Sequence, residues 1–374
     1  MKSPLLVVAG EASGDRAAAG VVSNLPEARA FGMGGSALGM AGADVIVPLD
    51  RTNVMGFDSL VGHAANVARA WHTITSHVAK ERPRAALLTN FSEFNSRLAK
   101  HLSARGIRVL FYGAPQVWAW RRGRMDALRP WVDRMAVMLP FEEALWRAKG
   151  VDAHYVGHPA RETTILPRNV ARRSLDMTPF APAVALLPGS RPGEVKHLLE
   201  PMLEGFEIVR RDRASLDARV VLASSIQGDL REWVLAKAKA TNVHVTTVDP
   251  KAGASNVLGA FDVALSASGT VTLEATLAGA VPIVVYKVGP LTEFAAKRWL
   301  ETPHVALPNV LLGRRAFPEL LQDDVNPGRI AREVRRVLRG HAELLRECAN
   351  VVHALGDART PSARVASMIR PWLA

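Results

Sequence analysis

The chain has 374 residues, 48% of them hydrophobic, and its 47 basic and 35 acidic residues give a formal charge of +12. This length favours two domains, since one domain commonly holds about 100–200 residues. The longest apolar run, Val281–Tyr286, is much shorter than the ~20 residues of a transmembrane helix. Cys348 is the only cysteine in the sequence, so the chain cannot form an internal disulfide. We therefore expect a cytoplasmic protein without a secretory signal, whose partner is anionic: a phosphorylated substrate, a lipid surface or nucleic acid.

Strand-like and helical segments alternate through the first half, an order typical of a parallel sheet covered by helices. Apolar runs predict strands near Leu5–Ala9, Arg29–Phe31, Val45–Val47, Ala85–Thr89, Arg108–Tyr112 and Met135–Met138. Glycine and proline then punctuate Tyr155–Pro159, and a polar stretch follows, which predicts a domain boundary. We assign residues 1–160 to an N-terminal Rossmann-like domain.

The second half repeats this alternation. A strand from Ala183 ends in a turn at Pro188, and further strands are predicted near Arg219–Ala223, His244–Val248, Phe261–Leu265 and Pro282–Tyr286. Residues 161–340 form the second predicted Rossmann-like domain, and residues 341–374 form C-terminal helices that pack across a domain or onto a partner subunit. Two doubly wound α/β domains in succession predict a ligand cleft between them, at the carboxyl ends of the strands.

The segment Ala264–Tyr286 carries the most informative pattern. An apolar strand opens into Ser268, Gly269 and Thr270, and Glu274 lies one turn into the helix that follows. The glycine lets backbone N–H groups approach an anion, the helix N-terminus adds partial positive charge, and the acid can accept hydrogen bonds from ribose hydroxyls. This pattern predicts a nucleotide site.

A second turn, Leu187–Arg191, has the chemistry of a phosphate site. Gly189 and Ser190 offer backbone and hydroxyl donors, and the Arg191 guanidinium can bind two phosphate oxygens. We interpret Glu194, one turn later, as a helix-start charge. The sequence has no Asp-x-Asp pair and no ligand spacing of histidines, so we expect Arg191 and helix N-termini, without a metal or cofactor, to neutralise a diphosphate leaving group.

Two glycine-containing turns in the first half have open interpretations. In Gly10–Asp15, Ser13 and Asp15 can simply cap the first helix, or Glu11 and Asp15 can line the cleft. Gly32–Ala37 matches the loose dinucleotide fingerprint G-x-G-x-x-A, but its further glycines favour a flexible loop over a nicotinamide site.

Aromatic and basic residues alternate between Trp118 and Arg134. Such a mixture suits a membrane interface, where indole rings lie at headgroup level and arginine meets lipid phosphate. It also suits stacking on single-stranded nucleic acid. We favour the anionic membrane surface and expect no nucleic-acid partner.

Taken together, these segments give the chain a family resemblance. It resembles the lipid-A-disaccharide synthase family through motifs that run in order over nearly the whole chain: Ala9–Asp15, Gly32–Gly35, Pro115–Arg121, Leu139–Glu142, Gly157–Pro159, Leu187–Arg191, Ala267–Ala275, Leu307–Leu311 and Pro318–Asp324. The resemblance implies a metal-independent, inverting hexosyltransferase with the glycosyltransferase-B fold, in which two Rossmann-like domains face a cleft.

The resemblance also implies a reaction and a location. The implied enzyme transfers 2,3-diacylglucosamine from its UDP derivative to 2,3-diacylglucosamine 1-phosphate, forming a β-1,6 disaccharide in lipid A biosynthesis. It is peripheral on the inner face of the cytoplasmic membrane and forms a homodimer with an exchanged C-terminal segment. The implied UDP-sugar set is Gly189, Ser190, Arg191, Ser268, Gly269, Thr270, Glu274 and Asn309.

The chain departs from the family where the catalytic base is expected. The family typically has Asp-x-Pro-Asp-Phe-Asn after the fourth strand, whereas residues 90–95 here read Asn-Phe-Ser-Glu-Phe-Asn. Glu93 then takes the place of the favoured base, with Glu11 as a further catalytic candidate beside Arg191. The candidate acceptor-binding residues are Ser13, Asp15, Asn95, Trp118 and Arg121. Because of this departure, three alternatives stay open: a UDP-sugar glycosyltransferase with another acceptor, an epimerase, or an inactive paralogue that binds glycolipid or UDP-sugar.

Overall fold

The computed structural model describes residues 2–49, 60–119, 123–287 and 302–374 of the chain. The chain divides into two compact units. The first comprises Met1–Glu162 together with Leu355–Ala374, and the second comprises Thr163–Ala354. Each unit is built on its own parallel sheet.

In the described part of the first unit, seven parallel strands form a sheet in the order β3-β2-β1-β4-β5-β6-β7. The strands are β1 (Ser3–Ala9), β2 (Ala28–Gly34), β3 (Asp44–Pro48), β4 (Ala85–Thr89), β5 (Arg108–Tyr112), β6 (Arg134–Val137) and β7 (Ala153–Tyr155). The helices between them are α1 (Ala12–Ser23), α2 (Ser36–Met40), α3 (Leu60–Glu81), α4 (Ser92–Ser103), α5 (Arg124–Leu128) and α6 (Pro140–Arg147), with 3₁₀ turns at Arg129–Trp131 and Pro159–Arg161.

Both faces of this sheet are buried, which explains why its strands read as continuous apolar runs. On one face Val8 and Leu88 pack with Leu98 of α4. On the other face Val7 and Leu87 share a core with Val21 of α1. Strand periodicity therefore divides the same run of residues between two cores.

In the second unit, the described residues place six parallel strands in the order β10-β9-β8-β11-β12-β13. They are β8 (Ala183–Leu187), β9 (Asp217–Leu222), β10 (His244–Thr247), β11 (Val263–Ala267), β12 (Val281–Tyr286) and β13 (Glu319–Leu321). The helices are α7 (Arg168–Ser174), α8 (Pro192–Asp212), α9 (Gly228–Ala240), α10 (Ser255–Leu258), α11 (Thr270–Leu277), α12 (Leu307–Leu312), α13 (Pro327–Arg339) and α14 (His341–Ala354), with a 3₁₀ turn at Gln322–Asp324.

After α14 the chain returns to the first unit. Its last helix, α15 (Pro361–Ile369), is followed by a 3₁₀ turn at Arg370–Trp372. Val365 and Ile369 join the core that contains Val21 of α1. The Arg134 guanidinium also donates to the carbonyl oxygen of Met368 at 2.7 Å. The C-terminal segment thus completes the hydrophobic core of the first unit.

The predicted strands are confirmed, and so is the α/β class. The sequence analysis missed β7 and β13, which are three residues long and too short to show a periodic pattern. The tail from Pro327 contains the predicted helices and, in the described residues, no strand. No helix in the described ranges is long and apolar enough to cross a membrane.

Candidate active site

Each sheet reverses its strand order at one point, and ligand crevices of doubly wound sheets lie at such points. In the first unit the order reverses between β1 and β4, and in the second between β8 and β11. The predicted site segments follow these four strands. Glu11–Asp15 follows β1, Asn90–Asn95 follows β4, Gly189–Arg191 follows β8, and Ser268–Thr270 follows β11.

The turn after β11 presents open backbone at a helix N-terminus. Gly269 has φ +151°, and apart from its chain neighbours no atom of the described residues lies within 4 Å of the place where its Cβ would be. Helix α11 starts at Thr270, so its dipole favours an anion over this glycine. The Ser268 hydroxyl donates to the carbonyl oxygen of Val305 at 3.0 Å and so supports the turn. Glu274 lies further along α11 and is only 3% exposed.

The turn after β8 holds the predicted phosphate donors, but Glu194 already contacts them. Its Oε2 accepts from the backbone N–H of Ser190 at 3.2 Å and from that of Arg191 at 3.4 Å. Its Oε1 lies 3.4 Å from Nη1 of Arg191. Gly189 has φ +115°, and a Cβ there would lie 2.3 Å from Glu194 Oε2. Glu194 caps the start of α8, as predicted for a helix-start charge. The same carboxylate also contacts the donors of the predicted phosphate site.

Asn309 is 0% exposed, and its side-chain amide forms hydrogen bonds within the second unit. Its Nδ2 donates to Phe317 O at 2.9 Å and to Glu319 Oε1 at 2.8 Å. Its Oδ1 accepts from the backbone N–H groups of Ala316 and Phe317, both at 2.9 Å. The buried side chain of Asn309 therefore links Glu319 to Ala316 and Phe317, and these hydrogen bonds form a buried framework in the second unit.

Glu319 extends this framework to the segment that supports Ser268. Its carboxylate accepts from the backbone N–H of Ala306 at 3.0 Å and from that of Val305 at 3.3 Å. Glu319 is buried, although the sequence analysis gave it no role. Its only sequence signal was its position in the matching segment Pro318–Asp324.

In the first unit, the buried Asp15 carboxylate holds the turn between β2 and α2. It accepts from Gly35 N at 2.7 Å, Ala37 N at 3.0 Å and Leu38 N at 3.3 Å. Burial raises the pKa of the Asp15 carboxyl, while the three backbone hydrogen bonds act to lower it. The Gly32–Ala37 segment, predicted as a flexible loop, is instead the end of β2 and the start of α2, and Asp15 of α1 caps the start of that helix.

The turn after β4 has a strained backbone. Asn90 and Phe91 both have left-handed conformations, with φ +52° and +48°, which cost about 1–3 kcal/mol each for residues other than glycine. Asn95 is buried and offsets this strain, because its Nδ2 donates to the carbonyl oxygens of Asn90 at 2.7 Å and Thr89 at 3.3 Å. Asn90 Nδ2 in turn reaches the Ser13 hydroxyl at 3.4 Å. The predicted acceptor residues Ser13 and Asn95 therefore meet at this turn.

This turn places Glu93 in the first turn of α4, where the helix dipole favours a carboxylate. Glu93 forms an ion pair with Arg124, the first residue of α5. The Glu93 side chain is 65% exposed and that of Arg124 is 21% exposed. Burial lowers the pKa of Arg124 from its ordinary value. The sequence analysis missed this partner, since nothing in the spacing of the two residues relates them.

Trp118 lies beside a buried acid. Its Nε1 donates to Glu142 Oε1 at 2.9 Å, and its ring meets that of Phe141 edge to face, with 5.5 Å between ring centroids. Glu142 Oε2 also accepts from Leu139 N at 3.0 Å. Burial raises the pKa of Glu142 to about 7, although these hydrogen bonds act to lower it. The fifth predicted acceptor residue, Arg121, lies outside the described residues.

Metal-ligating side chains do not gather into a site in the described parts of the chain, where no group of three or more His, Cys, Asp or Glu is placed to hold a metal ion. The predicted phosphate donors and the two candidate catalytic acids lie on different units. Backbone N–H groups, helix N-termini and the Arg191 guanidinium lie on the second unit, and the acids Glu11 and Glu93 lie on the first.

Comparison with known proteins decides the family. The family model described as lipid-A-disaccharide synthetase matches residues 5–355. The chain is 38% identical over 374 residues to the lipid-A-disaccharide synthase of Myxococcus xanthus, covering 98% of this chain and 96% of that protein. The chain belongs to the lipid-A-disaccharide synthase family. The same enzyme of Anaeromyxobacter dehalogenans is 40% identical over 339 residues, covering 89% of this chain and 88% of its own length.

Solved structures of other proteins are similar to this chain in fold. A putative UDP-N-acetylglucosamine 2-epimerase from Listeria monocytogenes matches with a TM-score of 0.70 at 13% identity, covering 100% of this chain and 97% of the other. A calicheamicin glycosyltransferase matches with a TM-score of 0.62 at 15% identity, covering 100% and 98%. The predicted glycosyltransferase-B fold and the predicted enzyme family are confirmed.

Proposed function

We propose that this protein transfers 2,3-diacylglucosamine from its UDP derivative to 2,3-diacylglucosamine 1-phosphate, forming a β-1,6-linked disaccharide and releasing UDP. The observation that carries the proposal is that two turns with glycine at a helix start, Gly189–Arg191 and Ser268–Thr270, follow the two strands at the strand reversal of the second unit in a member of this family. A diphosphate is an anion of the kind that helix N-termini bind, and each turn can supply donors to it.

The donor's diphosphate would be bound by the N–H groups of Ser190, Gly269 and Thr270 and by the Arg191 guanidinium. These groups stabilise the negative charge that grows on UDP as its bond to the sugar breaks, which is the largest catalytic contribution expected in a site of this type. Asn309 and Glu319 are buried, and their hydrogen bonds hold the segment whose Val305 carbonyl oxygen accepts from Ser268. Glu274 completes the implied UDP-sugar set.

On the acceptor side, Glu93 would take the proton from the 6-hydroxyl group. The resulting oxygen nucleophile attacks the anomeric carbon as the bond between that carbon and the UDP oxygen breaks, and the electron pair leaves with UDP. One displacement inverts the α-linked donor to a β product. Arg124 forms an ion pair with Glu93 and so holds the carboxylate of the proposed base in one position. Glu11 is the second candidate base.

Both substrates carry acyl chains, which supports a peripheral position at an anionic membrane surface. Trp118 and the exposed Phe141 form an aromatic pair suited to an interface of this kind. We also propose a homodimer that exchanges the C-terminal segment; in the single chain, Leu355–Ala374 of this segment belong to the first unit. Light scattering at several protein concentrations tests the dimer, since a mass that stays at one chain would contradict it.

The proposed reaction is tested by measuring UDP release from purified protein with both diacylated substrates, and with each substrate alone. Release that needs both substrates supports transfer to the sugar phosphate. Release with a different acceptor would identify a related glycosyltransferase, and isomerisation of a UDP-sugar without acceptor would identify an epimerase. UDP binding without release under any of these conditions would indicate an inactive paralogue.

A further inference from the structure

Glu194 occupies the part of the second unit that the proposed function assigns to the donor's diphosphate. One carboxylate contacts two predicted phosphate donors, the N–H group of Ser190 and the Arg191 guanidinium, and it also accepts from the Arg191 N–H. Its side chain is 15% exposed, so it lies against the turn instead of extending into solvent. Gly189 makes this approach possible, because a side chain there would collide with the carboxylate.

The three contacts that Glu194 makes with these donors are long. The three distances are 3.2, 3.4 and 3.4 Å, whereas N–H groups bind charged oxygens best at about 2.7–2.9 Å. A phosphate oxygen at the shorter distance would therefore bind these donors more strongly than Glu194 does. The carboxylate and the phosphate are both negative, so they repel each other if they approach the same N–H groups.

We propose that Glu194 is a positioning residue that takes the place of the diphosphate while the donor site is empty, and that its charge then weakens the hold on UDP. In the ligand-free protein, the Glu194 carboxylate keeps the N–H groups of Ser190 and Arg191 oriented towards a single negatively charged group, which is Glu194 itself. When UDP binds, a phosphate oxygen displaces Glu194 Oε2 from Ser190 N–H. The displaced carboxylate stays nearby and repels the diphosphate, which favours release of the product. This inference rests on the proposed function and adds a determinant of its nucleotide affinity.

The test compares Glu194→Gln with Glu200→Gln by calorimetric titration. Glutamine keeps an oxygen that can accept from the Ser190 and Arg191 N–H groups, so the turn keeps its cap while the charge is lost. Glu200 lies on the same helix α8 and pairs with Lys237, so its variant makes the same change of charge away from the turn. Glu194→Gln should bind UDP about 3–10-fold more tightly than the wild type, as expected for removal of one screened repulsion.

Uridine separates this repulsion from a general change in the site. It has no phosphate, so its affinity should be the same in the wild type, Glu194→Gln and Glu200→Gln. Unchanged or weaker UDP binding by Glu194→Gln would overturn the inference, and so would an equal gain for uridine or an equal gain in Glu200→Gln.

A crystal of the wild-type protein with UDP tests the same point without a variant, and so decides it even if Glu194→Gln does not fold. The inference predicts a phosphate oxygen on Ser190 N–H and Glu194 Oε2 no longer bonded there. Bound UDP with Glu194 still on Ser190 would refute the inference and leave the proposed reaction standing. Failure of the wild type to bind UDP at all would refute both.

Discussion

Glu93 and Arg124 form an ion pair that joins the first turn of α4 to the first residue of α5. The pair links the altered motif at residues 90–95 to the segment just after Trp118 and Arg121. The guanidinium thereby gives the Glu93 carboxylate a defined position.

Replacing Glu93 with glutamine should lower kcat by about 10²–10⁴-fold, the usual contribution of general-base catalysis, while the affinity for UDP stays unchanged. The measurement is steady-state UDP release together with calorimetric titration. Glu232→Gln, on the surface of the second unit, is the matched control and should behave as wild type. Normal turnover by Glu93→Gln would show that Glu93 is not the base, and Glu11→Gln would then be tested in the same way.

Replacing Arg124 with glutamine should lower kcat/KM by up to about 10²-fold, because the ion pair holds the Glu93 carboxylate in place and a misplaced catalytic group costs about that much. Arg124→Lys keeps the positive charge and should lose less activity. The measurement is steady-state UDP release by the three proteins. Wild-type kinetics in Arg124→Gln would show that the arginine does not position the base.

Replacing Arg191 with alanine should slow turnover by about 10²–10³-fold, by analogy with the loss of one transition-state donor. Arg231→Ala removes an exposed arginine from the start of α9 and serves as the control for charge. Comparison of kcat and KM for the donor gives the readout. Wild-type kinetics in Arg191→Ala would contradict the phosphate assignment.

Replacing Asn309 with alanine decides between a structural and a ligand-binding role. The variant leaves buried hydrogen-bond partners unsatisfied, so it should lower the free energy of unfolding by about 1–3 kcal/mol. Denaturant titration measures this loss, with the exposed Asn350→Ala as control. Unchanged stability with weaker UDP binding would instead assign the Asn309 side chain directly to the nucleotide.

The sequence predicted the strands and helices that carry the candidate residues, because these elements are local. Strand–turn–helix segments such as Leu187–Arg191 carry their own signals in apolar runs, glycines and helix starts, and parallel strands bring their carboxyl ends to one edge. The partners of the acids could not be predicted in this way. Arg124 with Glu93 and Glu319 with Asn309 are pairings made by tertiary packing, and no periodic pattern encodes them.

The buried Glu142 should make stability depend on pH. Its folded-state pKa of about 7 lies above the ordinary value of 4.5, so the folded protein holds a proton that the unfolded chain releases between these values. The stability that this group contributes is therefore full below pH 4.5 and lost as the pH rises through 7. The loss corresponds to about 3 kcal/mol.

Glu142→Gln removes this titration and keeps a side chain that can accept from Trp118. Denaturant titrations at pH 5 and pH 8 should show the wild type losing stability relative to Glu142→Gln at the higher pH. A difference between the two proteins that is the same at both pH values would mean that Glu142 does not hold a proton in the folded state.

The most direct test of the proposed reaction is mass spectrometry of the lipid product after incubating the purified protein with UDP-2,3-diacylglucosamine and 2,3-diacylglucosamine 1-phosphate. The expected product is a tetraacylated disaccharide monophosphate, formed in equal amount with UDP and β-linked through the 6-hydroxyl by NMR. Recovery of both substrates unchanged by a protein that binds UDP, or an α-linked product, would contradict it.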